Sequence, residues 1–556
     1  MEKSESSQDN AVEVPISSPV SSSHSLSKEL TPDPSPQEST MDSPDASESA
    51  TDTIMIPEEE RKYLTGMKLY LVTGAVTLVS FLMLLDLSII VTAIPRITDH
   101  FNSLADVGWY GSSYQIASAC LQPLTGKVYS NFNSKWTFLG FFFVFELGSL
   151  LCGIANSSKM LIIARAVAGM GGSGLMNGCL TIIASLVPLH KSPGLIGMVM
   201  GFCQLGMVGG PLIGGVLTEK VSWRWCFYIN LPVGAVATIL LLCIEVPDQI
   251  VKPPVKNAAT TIMRELDLIG FALFSPAAIQ LLLALEYGAG TYGWKSATVI
   301  GLFCGAGGTF IIFLLWEYRI GNKAMIPLQM VAKRKVWTSC LVIIAMYGAG
   351  LAASYYLPIY FQAVKDDSPI MSGVSLLPTI VMQIIFAVMS GTLIGRLGYY
   401  TPWAIFAGVT NCVGAGLLST LAPETSTAKW IGYEMIFGAS RGAGFQTPII
   451  AIQHAVPQGD VSVAMALLIF SQTLSGAVFL TIANVIFDAA AILAAGATTF
   501  RSVVSKEDLP GVLKAYAKSC DYVFYMATGL GVVIFAFAFG MGWTDVRKKK
   551  PSEEKA

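Results

Sequence analysis

Long apolar stretches alternate with short polar gaps along most of this chain, and the stretches have the length a membrane demands. Crossing a hydrocarbon core takes about 20 apolar residues in a helix. The first such run is 69–94. Others follow near 107–128, 136–155, 160–187, 194–217, 226–246, 267–286, 296–316, 336–360, 371–394, 402–421, 429–452, 460–487 and 520–543. The run at 107–128 is interrupted by Gln115 and Gln122. The pattern predicts an all-α membrane protein with about fourteen transmembrane helices.

The runs also fall into a doubled arrangement. Six lie in 68–246 and six in 336–543, with two extra helices in a linker over 247–335. Repeated halves of this kind place a substrate site between them, near the middle of the bilayer.

Charge placement sets the orientation. With an even number of spans, the loops on the termini's side hold Lys127, Lys135, Lys191, Lys252, Lys256, Arg264, Arg319, Lys323, Lys333, Arg334, Lys335 and Arg396. The opposite loops are short and hold fewer cations, apart from one long loop at 488–518. The excess of Lys and Arg predicts that both termini are cytosolic. Residues 1–67 are rich in Ser, Pro, Asp and Glu and nearly lack aromatics. Such a segment buries too little apolar surface to offset its ordering entropy, so it reads as a disordered tail. It has no apolar core of a signal peptide, which leaves the first span as the insertion signal. Residues 544–556 form a basic cytosolic tail.

Composition narrows the chemistry. The chain of 556 residues is 53% hydrophobic and 13% charged, against about 25% charged for soluble domains. A net charge of −2 gives no basic surface for nucleic acid. The ten cysteines lie in or beside apolar runs with no Cys-x-x-Cys spacing, as small packing residues do. No phosphate-binding G-x-x-x-x-G-K-[ST] or H-E-x-x-H is present, so neither an enzyme, a cofactor nor a metal is expected.

Polar groups at membrane depth then become the candidates, since each is costly there. Asp86 lies in L-L-D-L-S-I-I-V-T-A-I-P. Two roles are open to it, a proton carrier facing an aqueous path or a structural hydrogen bond to a neighbouring helix. Arg165 lies in A-R-A-V-A-G-M-G-G-S-G, and an arginine stays charged under all ordinary conditions. It is suited to hold a carboxylate ionised until the conformation changes, or to form a fixed pair. Arg441 repeats the pattern in the second half, with Gln446 nearby. Glu146 and Glu434 are candidates to pair with an arginine or to line the cavity. Gln115, Asn177, Gln204, Gln472 and Asn484 are further candidate cavity groups, each also explained by a helix–helix hydrogen bond. In G-M-V-G-G-P-L-I-G-G, Gly206, Gly210 and Gly214 recur every four residues, so one helix face is bare for close packing. Gly215 ends this motif, and Pro211 within it removes one backbone bond. The combination suits a hinge that seals one end of a cavity.

These motifs together resemble the major facilitator superfamily, and within it the fourteen-helix drug:proton antiporters. They are most similar to fungal efflux pumps that accompany toxin and polyketide biosynthesis. The resemblance covers roughly 65–545. It is carried by the stretch around Asp86, by Arg165 with Gly169, by the glycine-proline motif, and by W-R-W-C-F-Y-I-N-L-P-V-G from Trp223 to Gly234. It implies a major facilitator fold, a proton role for Arg165 and its partners, and export rather than import. The family's gating loop between helices two and three departs here. Gly126 and Lys135 remain, but Ser130 and Asn131 replace its acidic and first basic residues. The second half keeps Gly391, Arg396 and Gly398 of a related pattern.

The reading is a monomeric, proton-coupled exporter of a hydrophobic small molecule, a fungal secondary metabolite or toxin, working by alternating access. An importer of a nutrient or iron chelate is the alternative. Its partners are the substrate, protons and the lipid bilayer. The expected site is the plasma membrane, with a vacuolar or vesicle membrane as the alternative.

Overall fold

A computed structural model describes residues 63–103, 106–188, 190–249, 252, 265–289, 292–487 and 509–547. Most of the expected N-terminal tail, the stretch 488–508 and the basic run at 548–550 lie outside the described residues. Among the described residues every regular element is helical.

Among these residues fourteen long helices follow one another in the order the hydropathy pattern predicts. They are α1 (Gly66–Phe101), α2 (Val107–Asn131), α3 (Ser134–Gly153), α4 (Ser158–Leu186) and α5 (Ser192–Lys220). Then come α6 (Trp225–Cys243), α7 (Leu268–Ala289), α8 (Ala297–Ile320), α9 (Arg334–Ile359), α10 (Leu377–Leu397) and α11 (Thr401–Leu418). The last three are α12 (Thr427–Gly444), α13 (Val461–Ile486) and α14 (Leu509–Ala538).

Local chemistry sets several ends. The side chains of Asn133, Ser157 and Ser296 each accept a hydrogen bond from a first-turn backbone N–H of α3, α4 and α8, satisfying donors that helix geometry leaves free. Gly398 ends α10 in the left-handed conformation, φ 89°, which a glycine adopts without strain. Pro448 opens a second helical stretch, Thr447–Ala455, after α12. A proline sits well in a first helical turn, and it favours a break in the residues before it.

Twelve of the fourteen are long and apolar enough to cross a membrane, among the described residues. The two that fall short are α2 and α12. Both are interior helices with buried polar side chains, Gln122 and Thr125 on α2 and Glu434 and Ser440 on α12.

The packing repeats between the halves. In the first, α1 lies against α5 and α6, and α4 against α2 and α3. In the second, α9 lies against α13 and α14, and α12 against α10 and α11. Mapping α1–α6 onto α9–α14 reproduces each of these neighbours. The halves meet along two equivalent seams, α5 with α10 and α2 with α13. The extra helices α7 and α8 pair with each other, and α7 packs on both α2 and α13. Phe274 and Ala278 of α7 join Cys120 of α2 in one buried apolar cluster there.

Candidate functional site

Asp86 is fully buried near the middle of α1, so an ionised carboxylate there needs partners. Arg165 supplies the charge. Its Nη1 donates to Asp86 Oδ2 at 2.5 Å, and its Nε donates to the backbone carbonyl of Tyr110 at 3.1 Å. The guanidinium also lies over the Tyr114 ring, 4.7 Å from its centroid, with Phe227 at 5.9 Å. The other oxygen, Asp86 Oδ1, accepts from Asn230 Nδ2 at 3.2 Å, and the same amide donates to Ser149 Oγ at 3.1 Å. One ion pair therefore ties together α1, α2, α3, α4 and α6.

Glu146 stands one helical turn before Ser149 on α3. Its carboxylate lies against Gly234, one turn beyond Asn230 on α6. Both Glu146 oxygens are buried with no hydrogen-bond partner. A second carboxylate thus borders the Asp86 network without joining it.

The glycine face of α5 packs on the same α1. Carbon added at Gly206 would come within 2.6 Å of the Phe81 carbonyl oxygen. At Gly210 and Gly214 it would strike the hydroxyls of Ser88 and Thr92. Ser88 Oγ donates to the carbonyl of Gly206 at 3.1 Å. Gly215 meets nothing within 4 Å and takes no part in this contact. Helix α5 runs on through Pro211.

The candidate cavity residues divide. Gln204, Arg441 and Gln446 line one small cleft between α5, α10 and α12, together with Gln383. Gln446 Nε2 donates to the Ala387 carbonyl at 2.8 Å and to the Ser390 hydroxyl. Gln472 lies beside Tyr347 on α9. Gln115 is exposed on α2, outside that cleft. Asn177 is fully buried and donates to Thr125 Oγ1 at 3.0 Å, a bond between α4 and α2. Asn484 accepts from the Tyr356 hydroxyl at 2.7 Å. Glu434 is also fully buried and accepts from Thr379 Oγ1 at 3.3 Å. Among the described residues neither Glu146 nor Glu434 forms an ion pair with an arginine.

The gating-loop candidates sit at the end of the bundle that carries the α2–α3 and α10–α11 loops. Gly126 packs directly on α13, where added carbon would lie 2.7 Å from Val463 Cα. Ser130, standing where the resembled motif has its acid, donates to the Gly459 carbonyl at 3.2 Å, just before α13. Lys135 Nζ donates to the carbonyls of Leu242 and Ile244 at the end of α6, at 3.1 and 2.8 Å. Asp248 accepts from Asn133 Nδ2 and pairs with Lys252 Nζ, each at 2.8 Å, while Lys252 also donates to the Phe132 carbonyl. Burial pulls the Lys252 ammonium below its usual range, and the neighbouring Asp248 partly offsets this. Arg396 is exposed, and its carbonyl accepts from Arg547 at 3.2 Å. At the same end Gly197 of α5 and Gly391 of α10 touch backbone to backbone. Carbon added at Gly391 would lie 2.6 Å from the Pro193 carbonyl oxygen.

Sequence reasoning gave no role to Asn230, Ser149, Gln383, Asp248 or Gly350. Asn230 was open to discovery as a lone amide inside an apolar run. The others carry no signal without the fold.

Two half-bundles related by repeat, with a buried ion pair in one and a polar cleft between them, define a helical membrane transporter. Comparison with known proteins agrees. Residues 76–480 match the model of the Major Facilitator Superfamily, and the chain belongs to that family. It is 55% identical over 512 residues to the MFS-type transporter pigP of Monascus ruber, covering 89% of this chain and 90% of that one. It is 52% identical over 530 residues to the efflux pump mlcE of Penicillium citrinum, covering 91% and 96%. Among solved structures, the proton:xylose symporter XylE superposes with a TM-score of 0.57 at 15% identity, covering 86% of this chain and 97% of that one. That likeness concerns the fold alone. The chain is a multi-pass membrane transporter of small molecules and not an enzyme.

Proposed function

We propose that this transporter exports a hydrophobic small molecule, a fungal secondary metabolite or toxin, in exchange for protons. All fourteen helices cross the membrane, because Gln122 and Thr125 of α2 and Glu434 and Ser440 of α12, polar groups that lower the hydropathy of these two helices, are buried inside the bundle. Both termini lie in the cytosol, and the chain works as a monomer in the plasma membrane.

The observation that carries proton coupling is the buried Asp86–Arg165 pair, with Glu146 unpartnered beside it. A proton on Asp86 cancels most of the attraction that holds α1 to α4. Asn230 then retains its contact through a neutral hydrogen bond. Freed from the pair, α1 shifts along the glycine face of α5, and the seams at Gly126 and Gly391 part. Glu146 is the adjoining carboxylate that receives or supplies the proton. Relatives named as efflux pumps support the outward direction.

Deleting the gene in the producing fungus tests the direction. Untargeted profiling of cells and medium should show an apolar compound retained several-fold inside the cells. A fall in the cellular content of a compound taken from the medium would indicate import instead.

A further inference from the structure

The second half repeats the arginine of the first but not its acid. Arg165 on α4 faces Asp86 on α1. Arg441, deeper in the equivalent helix α12, faces the equivalent helix α9 at Gly350. Carbon added at Gly350 would lie 2.6 Å from Arg441 Cζ and 2.7 Å from its Nε and Nη2. The guanidinium therefore fills the space a side chain on α9 would need. Arg441 Nε is buried with no acceptor. Among the described residues no carboxylate lies within ion-pair distance of it. Its helix neighbour Glu434, two turns away, is held by Thr379.

An arginine does not discard its proton, and a charge left unpaired at membrane depth is costly. The remainder of the cleft supplies only neutral groups, Gln204, Gln383 and Gln446. Tyr347 stands next to Arg441, with its ring 6.5 Å from that of Phe445. Among the described residues the counter-charge is thus missing, at the one lining position of the cleft that is cationic.

We infer that the cargo supplies it: the transported molecule carries a carboxylate, which docks on Arg441 while its apolar body lies against Tyr347 and Phe445. A planar guanidinium offers a carboxylate two parallel hydrogen bonds, and Gly350 keeps α9 from competing for them. This names the substrate class for the transporter proposed above and rests on that reading.

The test is equilibrium binding to the full chain in lipid nanodiscs, without any gradient. The probes are pyrene-1-butyrate and its methyl ester, each corrected for partition into empty discs. The acid should bind at least about ten-fold tighter than the ester, as a charge-assisted contact provides. Arg441→Gln should abolish that preference while leaving ester binding intact, and it removes an unpaired charge, so folding should not suffer. Gly350→Asp, which provides an internal counter-ion, should abolish it too. A wild-type protein that does not bind the acid, or binds the ester as tightly, overturns the inference. So does an acid preference that survives in Arg441→Gln. The readout is independent of flux: loss of proton coupling with this preference intact would remove the antiport mechanism and leave the carboxylate site standing.

Discussion

Asp86→Asn should lower gradient-driven transport at least ten-fold and lower the melting temperature as well. The substitution keeps shape and a hydrogen bond but leaves Arg165, 1% exposed, without its counter-charge. Removing one member of a buried pair costs about 3–5 kcal/mol, because the remaining charge is neither hydrated nor matched. Replacing both members with groups of similar size is often close to neutral in stability. The double variant Asp86→Asn with Arg165→Met should therefore recover much of the melting temperature, yet not the transport. This split separates a coupling role from a purely structural one. Thermal melts of purified protein and flux into liposomes measure the two quantities. Full coupled transport by Asp86→Asn would remove this residue from the mechanism.

Gly391→Leu should stall the cycle with a similar loss of flux for a different reason. At Gly391 the two halves are in backbone contact, with Gly197 Cα 3.2 Å from where a side chain would begin. A leucine forces α5 and α10 apart, so this end of the bundle cannot close. The contact lies between the halves, so each half keeps its own core. Closure is measurable through Thr181 of α4 and Ser462 of α13, whose hydroxyls stand 3.4 Å apart between the two halves. Cysteines at those two positions, with exposed Cys243 and Cys304 replaced by serine, should cross-link readily in the parent and poorly with Gly391→Leu. Undiminished cross-linking would mean that the glycine contact does not control closure.

Much of the fold was legible because bilayer thickness imposes one length on every crossing helix. The differences are at the ends and follow from polarity. Helix α1 extends to Phe101 beyond the expected 94, through Arg96, Thr98, Asp99 and His100, which continue a helix without continuing an apolar run. Helix α14 begins at Leu509 rather than near 520. Its first turns bury Tyr516 and Ala517 but expose Lys514 and Lys518, so an average over the window hides them. The stretch expected at 429–452 is two helices, broken at Phe445 and Gln446 ahead of Pro448.

The site was legible as a set of costly residues but not as a set of partners. Asp86 and Arg165 each stood out by burial cost alone. Which carboxylate Arg165 takes was open, since Glu146 was an equal candidate until the rotation of α3 placed it against Gly234. Lys135 stood out as a gating-loop residue, but its partners, the carbonyls at the end of α6, did not. Asp248 and Lys252 tie down the α2–α3 loop from outside its own sequence, which no motif within the loop could reveal. Gly350 matters through what it lacks, and that is visible only once Arg441 lies against it.

The central claim is antiport, and simultaneous recording of cargo and pH in proteoliposomes tests it most directly. The protein is reconstituted with the metabolite that gene deletion retains, and a pH-sensitive dye is enclosed. The account predicts that an imposed pH gradient drives cargo in one direction and protons in the other, and that Asp86→Asn abolishes both movements together. Cargo movement that persists unchanged when the gradient is collapsed, with no accompanying pH change, would contradict it.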